Sequence, residues 1–175
     1  LDFNKGARFE YRPGATPVKD IKLLTNYGDK SRVRNALAYD FITASGSIGH
    51  FAFPVRVQRN GRFHAILDMM EDGDDRWMER FGRDPNGALY KIYNALDSVG
   101  GAEKKTRKFE GTSDLQALIS NLAESQSLST RVRYAYDRLD LPQIVSYFAA
   151  LALVSSQDHG HKNFYVYCDT LRTGE

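Results

Sequence analysis

A single cysteine, Cys168, leaves this chain without an internal disulfide, so its stability has to come from packing. That cysteine sits in an apolar, strand-like run, the setting of a buried, inert thiol rather than a reactive one. One cysteine suits a cytosolic protein and equally a secreted domain that needs no staples. No stretch approaches the roughly 18 consecutive apolar residues of a membrane-spanning helix. The longest apolar run, Ile144 to Val154, is interrupted by Ser146 and reads as a buried helix, so membrane insertion is not expected. No charge of either sign dominates: 24 Lys and Arg stand against 22 Asp and Glu, which gives no indication of a nucleic-acid partner. Internal repeats and low-complexity tracts are absent. There is no initiator Met and no signal peptide. The chain opens mid-pattern at Leu1-Asp2-Phe3 and stops at Gly174-Glu175 in what reads as a hairpin. Both ends are therefore expected to be cuts in a longer protein.

What is present is enough for one packed domain: 175 residues, 42% hydrophobic, with ten Tyr, ten Phe and one Trp. Residues 1–12 alternate, with Asn4-Lys5-Gly6 as the punctuation of a hairpin, and Val18 to Leu24 reads as another extended piece. Asp29 and Ser31 are helix-start residues. Val33, Leu37, Ala38, Phe41 and Ile42 then recur at helical spacing up to Gly46, predicting an amphipathic helix. Two extended runs, Phe51 to Gln58 and Arg62 to Met70, meet at Asn60-Gly61, which predicts a tight hairpin because both turn positions need positive φ. Gly73 to Phe81 reads as a short helix and Ala88 to Tyr93 as a short strand.

Residues 94–111 read as a long polar connection whose basic run, Glu103 to Lys108, suits a solvated loop or a surface for a peptide substrate or an acidic partner. Ser113 or Asp114 is placed to cap a helix carrying Leu115, Leu118, Ile119 and Leu122. Val132 to Leu139 predicts another. Asp140 caps a third, Pro142 falling in its first turn. Ile144, Val145, Phe148, Ala149, Leu151, Ala152 and Val154 make that helix apolar on most sides, so it is expected to be the most buried in the chain. A polar loop, 155–162, leads to an extended run, Asn163 to Cys168. Strands dominate the first part and helices the second, an α+β arrangement. Two such lobes suggest a cleft between them.

The informative segment is Gln157 to Tyr167. Asp158 and Asn163 stand five apart on a loop between an apolar helix and an apolar strand, the setting in which kinase-type enzymes place D-x-x-x-x-N. In that pattern the Asp takes or orients the acceptor hydroxyl proton, and the Asn holds a metal ion against the phosphates. A plainer reading stands beside it, with Asp158 in an Asx-turn and Asn163 hydrogen-bonding at a strand edge. His159 and His161 lack a third clear ligand for zinc, and His161 fits better as a brace for the loop. Lys162 suits either a transferred phosphate or solvent.

Four blocks in order resemble the CotH family, atypical kinases first known from bacterial spore coats. Thr25 to Ala38 is similar to its N-x-x-x-D-x-S-x-x-R-N-x-L-A segment, and Asn60 to Glu71 to its N-G-x-Y-x-G-x-Y-x-L-x-E hairpin. Gly87-Ala88-Leu89-Tyr90-Lys91 matches G-x-L-Y-K. Leu141-Pro142, Tyr147, Asp158 to Asn163, Tyr165-Val166-Tyr167 and Asp169 complete the set. The resemblance implies a two-lobed protein-kinase-like fold, truncated at both ends, with residues 1–72 as the sheet-rich lobe. Residues 73–175 are then the helix-rich lobe with catalytic loop and hairpin. It implies ATP with Mg²⁺ or Mn²⁺ as cofactors and a serine-rich protein as substrate. It makes Asp158 the catalytic acid, with Lys162 beside it, and Asn163 a metal ligand. Glu71 falls where a kinase hinge meets adenine through backbone groups. Asp74 lies near a ribose or, alternatively, caps the helix containing Trp77. Arg34 stands where kinases place an acidic partner for the nucleotide lysine, which an Arg cannot replace. It is expected to be a buried ion-pair anchor, with a phosphate ligand as the alternative.

The chain departs from the family pattern at Ala65 and Leu67, where Gly and an aromatic are usual. A second metal segment, W-D-x-D, is expected beyond Glu175, and the lysine strand before Leu1; Lys19 and Lys22 are the nearest substitutes. The chain alone is therefore expected to lack a complete Mg–ATP site, activity belonging to the parent protein. A catalytically silent CotH-like module for surface adhesion or assembly is the alternative. A cell-surface or secreted setting within a larger protein is expected ahead of the cytoplasm.

Overall fold

A computed structural model describes residues 1–4, 6–156 and 163–170. The fold is α+β, 33% helix and 23% strand, and it divides into two compact units, 1–81 and 82–175.

In the first unit the order is β1 (Lys22–Leu24), α1 (Arg34–Ala44), β2 (Ala52–Arg59), β3 (Arg62–Met70) and α2 (Asp75–Arg80). The sheet order is β1-β3-β2, antiparallel throughout. Asn60 and Gly61 adopt φ of 53° and 77°, the left-handed pair that the predicted hairpin needs. A bulge between Val57 and Gln58 shifts the register by one, so that Ala52 faces Met70. Val18, Ile21 and Met69 form the core, with Phe3, Phe9, Tyr11, Phe51 and Phe53 packed on it.

The Ala7 N–H donates to the Asn4 carbonyl at 2.8 Å, a turn where the sequence predicts one, but the residues flanking it do not pair as a hairpin. The segment 1–12 bridges instead to the following segment, Asp2 to Asp20 and Phe9 to Val18. The turn that reverses the chain lies at Arg12 to Ala15, where the Ala15 N–H donates to the Arg12 carbonyl at 3.0 Å and Gly14 takes φ of 78°. The Phe3 and Phe9 rings stack on each other at 5.4 Å and pack on the core. Helix α1 forms where periodicity places it and stops before Gly46, whose φ is 83°. Its apolar stripe is not covered, however: Val33, Leu37 and Phe41 are exposed and only Ile42 is buried.

In the second unit β4 (Ala88–Ile92), β5 (Ala102–Lys104) and β6 (Phe164–Cys168) form an antiparallel sheet in the order β5-β4-β6. Three helices accompany it, α3 (Ser113–Leu122), α4 (Leu128–Arg138) and α5 (Leu141–Leu153). Ala88, Tyr90 and Ile92 of β4 pack with Leu115 in the core, joined by Leu118, Ile119, Phe164, Val166 and Cys168. The connection 94–111 is more than a loop, since a 3₁₀ turn at Val99–Gly101 leads into β5. Glu103 and Lys104 of the basic run thus belong to a strand.

Asp114 does not cap α3. Its carboxylate accepts the Tyr90 hydroxyl at 2.5 Å, and Thr112 occupies the cap without a side-chain bond. Helix α4 begins earlier than predicted, because the Ser127 hydroxyl accepts the Thr130 N–H and starts the helix there. Asp140 caps α5 as predicted, accepting the Gln143 N–H at 3.1 Å. That helix is not the buried centre. Ala150 and Leu151 are buried, whereas Val145, Phe148 and Leu153 are 65%, 51% and 74% exposed. An apolar composition shows that a helix tolerates cover on all sides, and the described neighbours cover one stripe of it. The hairpin expected at the end of the chain lies mostly outside the described residues; β6 pairs with β4. No described helix is long and apolar enough to cross a membrane.

Candidate functional site

The end of β3 is tied down by a buried ion pair. Glu71 is 2% exposed, and its carboxylate accepts the Phe51 N–H at 2.8 Å. Arg80 closes on both oxygens of that carboxylate, its Nε 3.3 Å from Oε2. The same guanidinium donates to the Gly49 carbonyl at 3.0 Å, as does Trp77 Nε1 at 3.0 Å. His50 stacks on Trp77 with ring centroids 4.4 Å apart, its Nδ1 4.0 Å from Glu71 Oε1. Burial pushes the Glu71 carboxyl up to about 7, against the pull of Arg80 and the Phe51 N–H. The side chain is thus committed internally. Asp74 accepts the Arg76 and Trp77 N–H groups at 2.9 and 3.0 Å, the capping role named for it, and burial raises its pKa.

The start of α1 is held by a second polar cluster. Asp29, almost fully buried, accepts the Ser31 N–H, the Ser31 hydroxyl and the Arg34 N–H at 2.9, 2.6 and 2.9 Å. Those bonds hold its carboxyl down at about 2, the Ser31 hydroxyl first among them. Asn35 donates to the Asn26 carboxamide oxygen at 2.8 Å, and Asn26 donates to the buried Asp68. Arg34 is not the buried anchor expected of it. Its side chain is 80% exposed with Nε 3.6 Å from Asp29, so the acid is buried and the base is solvated.

The polar loop leaves α5 through Ser155, at φ of 54°. Asp158 and Lys162, with His159 and His161, lie outside the described residues. Asn163 is exposed and left-handed, φ 58°, immediately before β6. Asn tolerates that conformation better than most side chains, and it turns the chain into the strand that pairs with β4. Asn163 offers one oxygen ligand to a hard cation. Among the described residues no group of three His, Cys, Asp or Glu side chains stands together to complete such a site.

His50, Trp77 and Arg80 carry no local motif, and reading the sequence missed them as a group. They meet because the hairpin brings residues 49–51 beside Glu71 and α2 folds back onto them. The Asn60-Gly61 turn was the one available signal.

A family model described as CotH kinase protein matches residues 1–174. The chain belongs to the CotH family. No curated protein matches it. In this CotH chain the segment from Asn26 to Asn35 is a polar stitch that fixes α1 to β3 through Asp68. The Asn-Gly hairpin carries Glu71, and the Gly87 to Lys91 block is the start of the second unit's central strand.

Proposed function

We propose that this chain is the core of a CotH-type protein kinase domain, two-lobed in the kinase manner, that transfers the ATP γ-phosphate to serine hydroxyls of a serine-rich protein. The observation that supports it is the family match over residues 1–174, a span that includes the D-x-x-x-x-N sequence from Asp158 to Asn163. Asp158 takes the hydroxyl proton as the serine oxygen bonds to the γ-phosphorus, the bond to the β–γ bridging oxygen breaks, and ADP leaves. Lys162 stands by the transferred phosphate. Glu71, through its backbone, and Asp74 are assigned to the adenine and ribose ends of the nucleotide. Asn163 contributes one oxygen to Mg²⁺ or Mn²⁺, whose chemistry when bound is neutralisation of phosphate charge.

The test is radiolabelled phosphate transfer by the full-length protein, with calorimetric ATP binding measured alongside. Asp158→Asn is expected to lower turnover by roughly 10²–10⁴-fold with nucleotide affinity nearly unchanged. Asn163→Ala is expected to weaken metal-dependent nucleotide binding instead. Full turnover after Asp158→Asn overturns the mechanism. ATP bound by neither protein turns the reading towards a silent adhesion or assembly module at the cell surface.

A further inference from the structure

The chain holds two Asn-Gly pairs, Asn60-Gly61 and Asn86-Gly87, and the fold treats them differently. An asparagine followed by glycine can react with its own backbone. The glycine nitrogen gives its proton to water and bonds to the asparagine Cγ, the Cγ–Nδ2 bond breaks, and ammonia leaves. A succinimide ring remains. Water then opens the ring at either carbonyl, leaving an aspartyl or an isoaspartyl residue where asparagine stood. Water is the only co-reactant. Glycine permits the approach because it has no Cβ and few backbone restrictions. A folded chain reacts where the glycine nitrogen and the carboxamide are both free to move.

Asn86-Gly87 is pinned at each group the reaction needs. The Gly87 N–H donates to the Asp84 carbonyl at 3.0 Å, and the Asn86 carboxamide donates to the Asp84 carboxylate at 3.2 Å. The same carboxylate accepts the Asn86 N–H at 2.9 Å. Arg107 donates to the Asn86 carbonyl at 3.0 Å and Thr106 to the Gly87 carbonyl at 2.7 Å, so neither peptide plane can swing freely. Asn86 is exposed all the same, whereas Gly87 is buried against the Tyr167 ring.

Asn60-Gly61 has none of these restraints. Both residues are exposed, and among the described residues neither the Gly61 N–H nor the Asn60 carboxamide has a hydrogen-bond partner. A Cβ placed on Gly61 would meet nothing within 4 Å. The pair that closes the turn is Arg59 opposite Arg62, two exposed arginines beyond the bulge at Val57 and Gln58. Like charges directly opposed across a ladder destabilise it, and no acid among the described residues pairs with either. Opening that end pair is therefore cheap, and it frees Asn60 to leave its φ of 53° for the rotation that ring closure requires. The two guanidinium groups also favour negative charge on the attacking nitrogen.

We propose that Asn60 is a site of spontaneous deamidation, closed to a succinimide by the Gly61 nitrogen, and that the exposed Asn86 is protected by its hydrogen bonds. The product sets a carboxylate between Arg59 and Arg62, and its isoaspartyl form adds one backbone atom to the turn. The proposal stands independently of the kinase reading.

The experiment incubates the full-length protein in mildly alkaline buffer made with heavy-oxygen water, once folded and once in urea, and maps its peptides by mass spectrometry over time. In the folded protein the Asn60 peptide is expected to lose its amide nitrogen and gain heavy oxygen about tenfold to a hundredfold faster than the Asn86 peptide, the worth of the two Asp84 bonds that Asn86-Gly87 must break. Labelling by an isoaspartyl methyltransferase should find the isoaspartyl form beside the aspartyl one. In urea the two rates should converge, because the fold no longer separates the sites. Equal rates in the folded protein overturn the protection of Asn86. An Asn60 that converts in urea but survives in the folded protein overturns the assignment, as the mark of a turn too rigid to close the ring. A rate ratio that persists in urea overturns it too, since the flanking residues would then set it. An aspartyl product alone rules out the succinimide.

Discussion

The first unit fixes its irregular segments with buried acids, and the second fixes its own with a buried strand. Asp29, Asp68 and Glu71 are all buried in the first unit; Asp68 and Glu71 tie Asn26 and Phe51 to β3 and its end, and Asp29 closes the turn into α1. In the second unit β4 is sunk between two partners, and the turn before it is wedged under the Tyr167 ring. A buried ion pair is costly to break on one side only, because the remaining charge stays desolvated. A packed strand is instead sensitive to volume. The two units should therefore fail by different routes.

The largest effect is expected at Arg80. At a pH well above 7, where Glu71 is ionised, Arg80→Ala leaves its carboxylate buried against His50 and the Phe51 N–H, and such a change costs roughly 3–5 kcal/mol, falling at lower pH as the carboxyl protonates. Trp77, the only tryptophan, lies in the same cluster and reports the loss directly in a urea titration followed by fluorescence. The pH dependence has a definite sign. Folding raises the Glu71 pKa from 4.5 to about 7, so its contribution is fully present below 4.5 and lost as pH rises through about 7. Glu71→Gln should flatten that limb. A wild-type first unit that gains stability steadily from pH 5 to 8 contradicts the burial argument.

The contrasting break lies at Gly87. A Cβ there would stand 2.4 Å from Tyr167 Oη and 2.6 Å from Cζ, a clash with the ring that anchors the turn through its bond to the Asp84 carbonyl at 3.0 Å. Gly87→Ala is expected to cost about 1–3 kcal/mol, by overpacking rather than by a stranded charge. Tyr167→Leu in the same chain should recover part of that loss, so that the two changes are strongly non-additive in a double-mutant cycle. Additive costs would mean that the turn moves without the ring.

What was legible follows the same division. Elements specified by local chemistry were readable: the Asn60-Gly61 turn, the Asp140 cap with Pro142, and the Asp74 cap on α2. Elements specified by distant partners were not. The bulge at Val57 and Gln58 moves Ala52 from a symmetric pairing with Met69 to Met70, and nothing in 51–70 announces it. That one-residue shift puts the Phe51 N–H within reach of Glu71. β5 hides in a polar connection because three residues carry no period, and it forms because β4 supplies a ladder. For the candidate site, the D-x-x-x-x-N spacing was read from sequence, and of its two ends only Asn163 lies among the described residues, exposed just before β6. The Glu71–Arg80–His50–Trp77 cluster was not read there, because its members meet only through the fold.

The smallest expected effect tests the other acid of the first unit. Asp29 is held down at about 2 from an ordinary 3.8 by the Ser31 hydroxyl and the Arg34 and Ser31 N–H groups, all of which bond to its charged form. Its contribution is therefore complete above pH 3.8 and lost as pH falls through about 2, the reverse of the Glu71 limb. Asp29→Asn should lower the denaturation midpoint at pH 6 and leave it nearly unchanged at pH 2. Ser31→Ala, which removes the largest of those bonds, should show the same trend at reduced size. Acid titration of the wild type, Asp29→Asn and Ser31→Ala, read by Trp77 fluorescence in urea, separates the two acids by the pH at which each stops mattering. If Asp29→Asn costs as much at pH 2 as at pH 6, the residue acts by shape. The stitch from Asn26 to Asn35 would then depend on the carboxamide-sized side chain and its hydrogen bonds, with the negative charge contributing nothing.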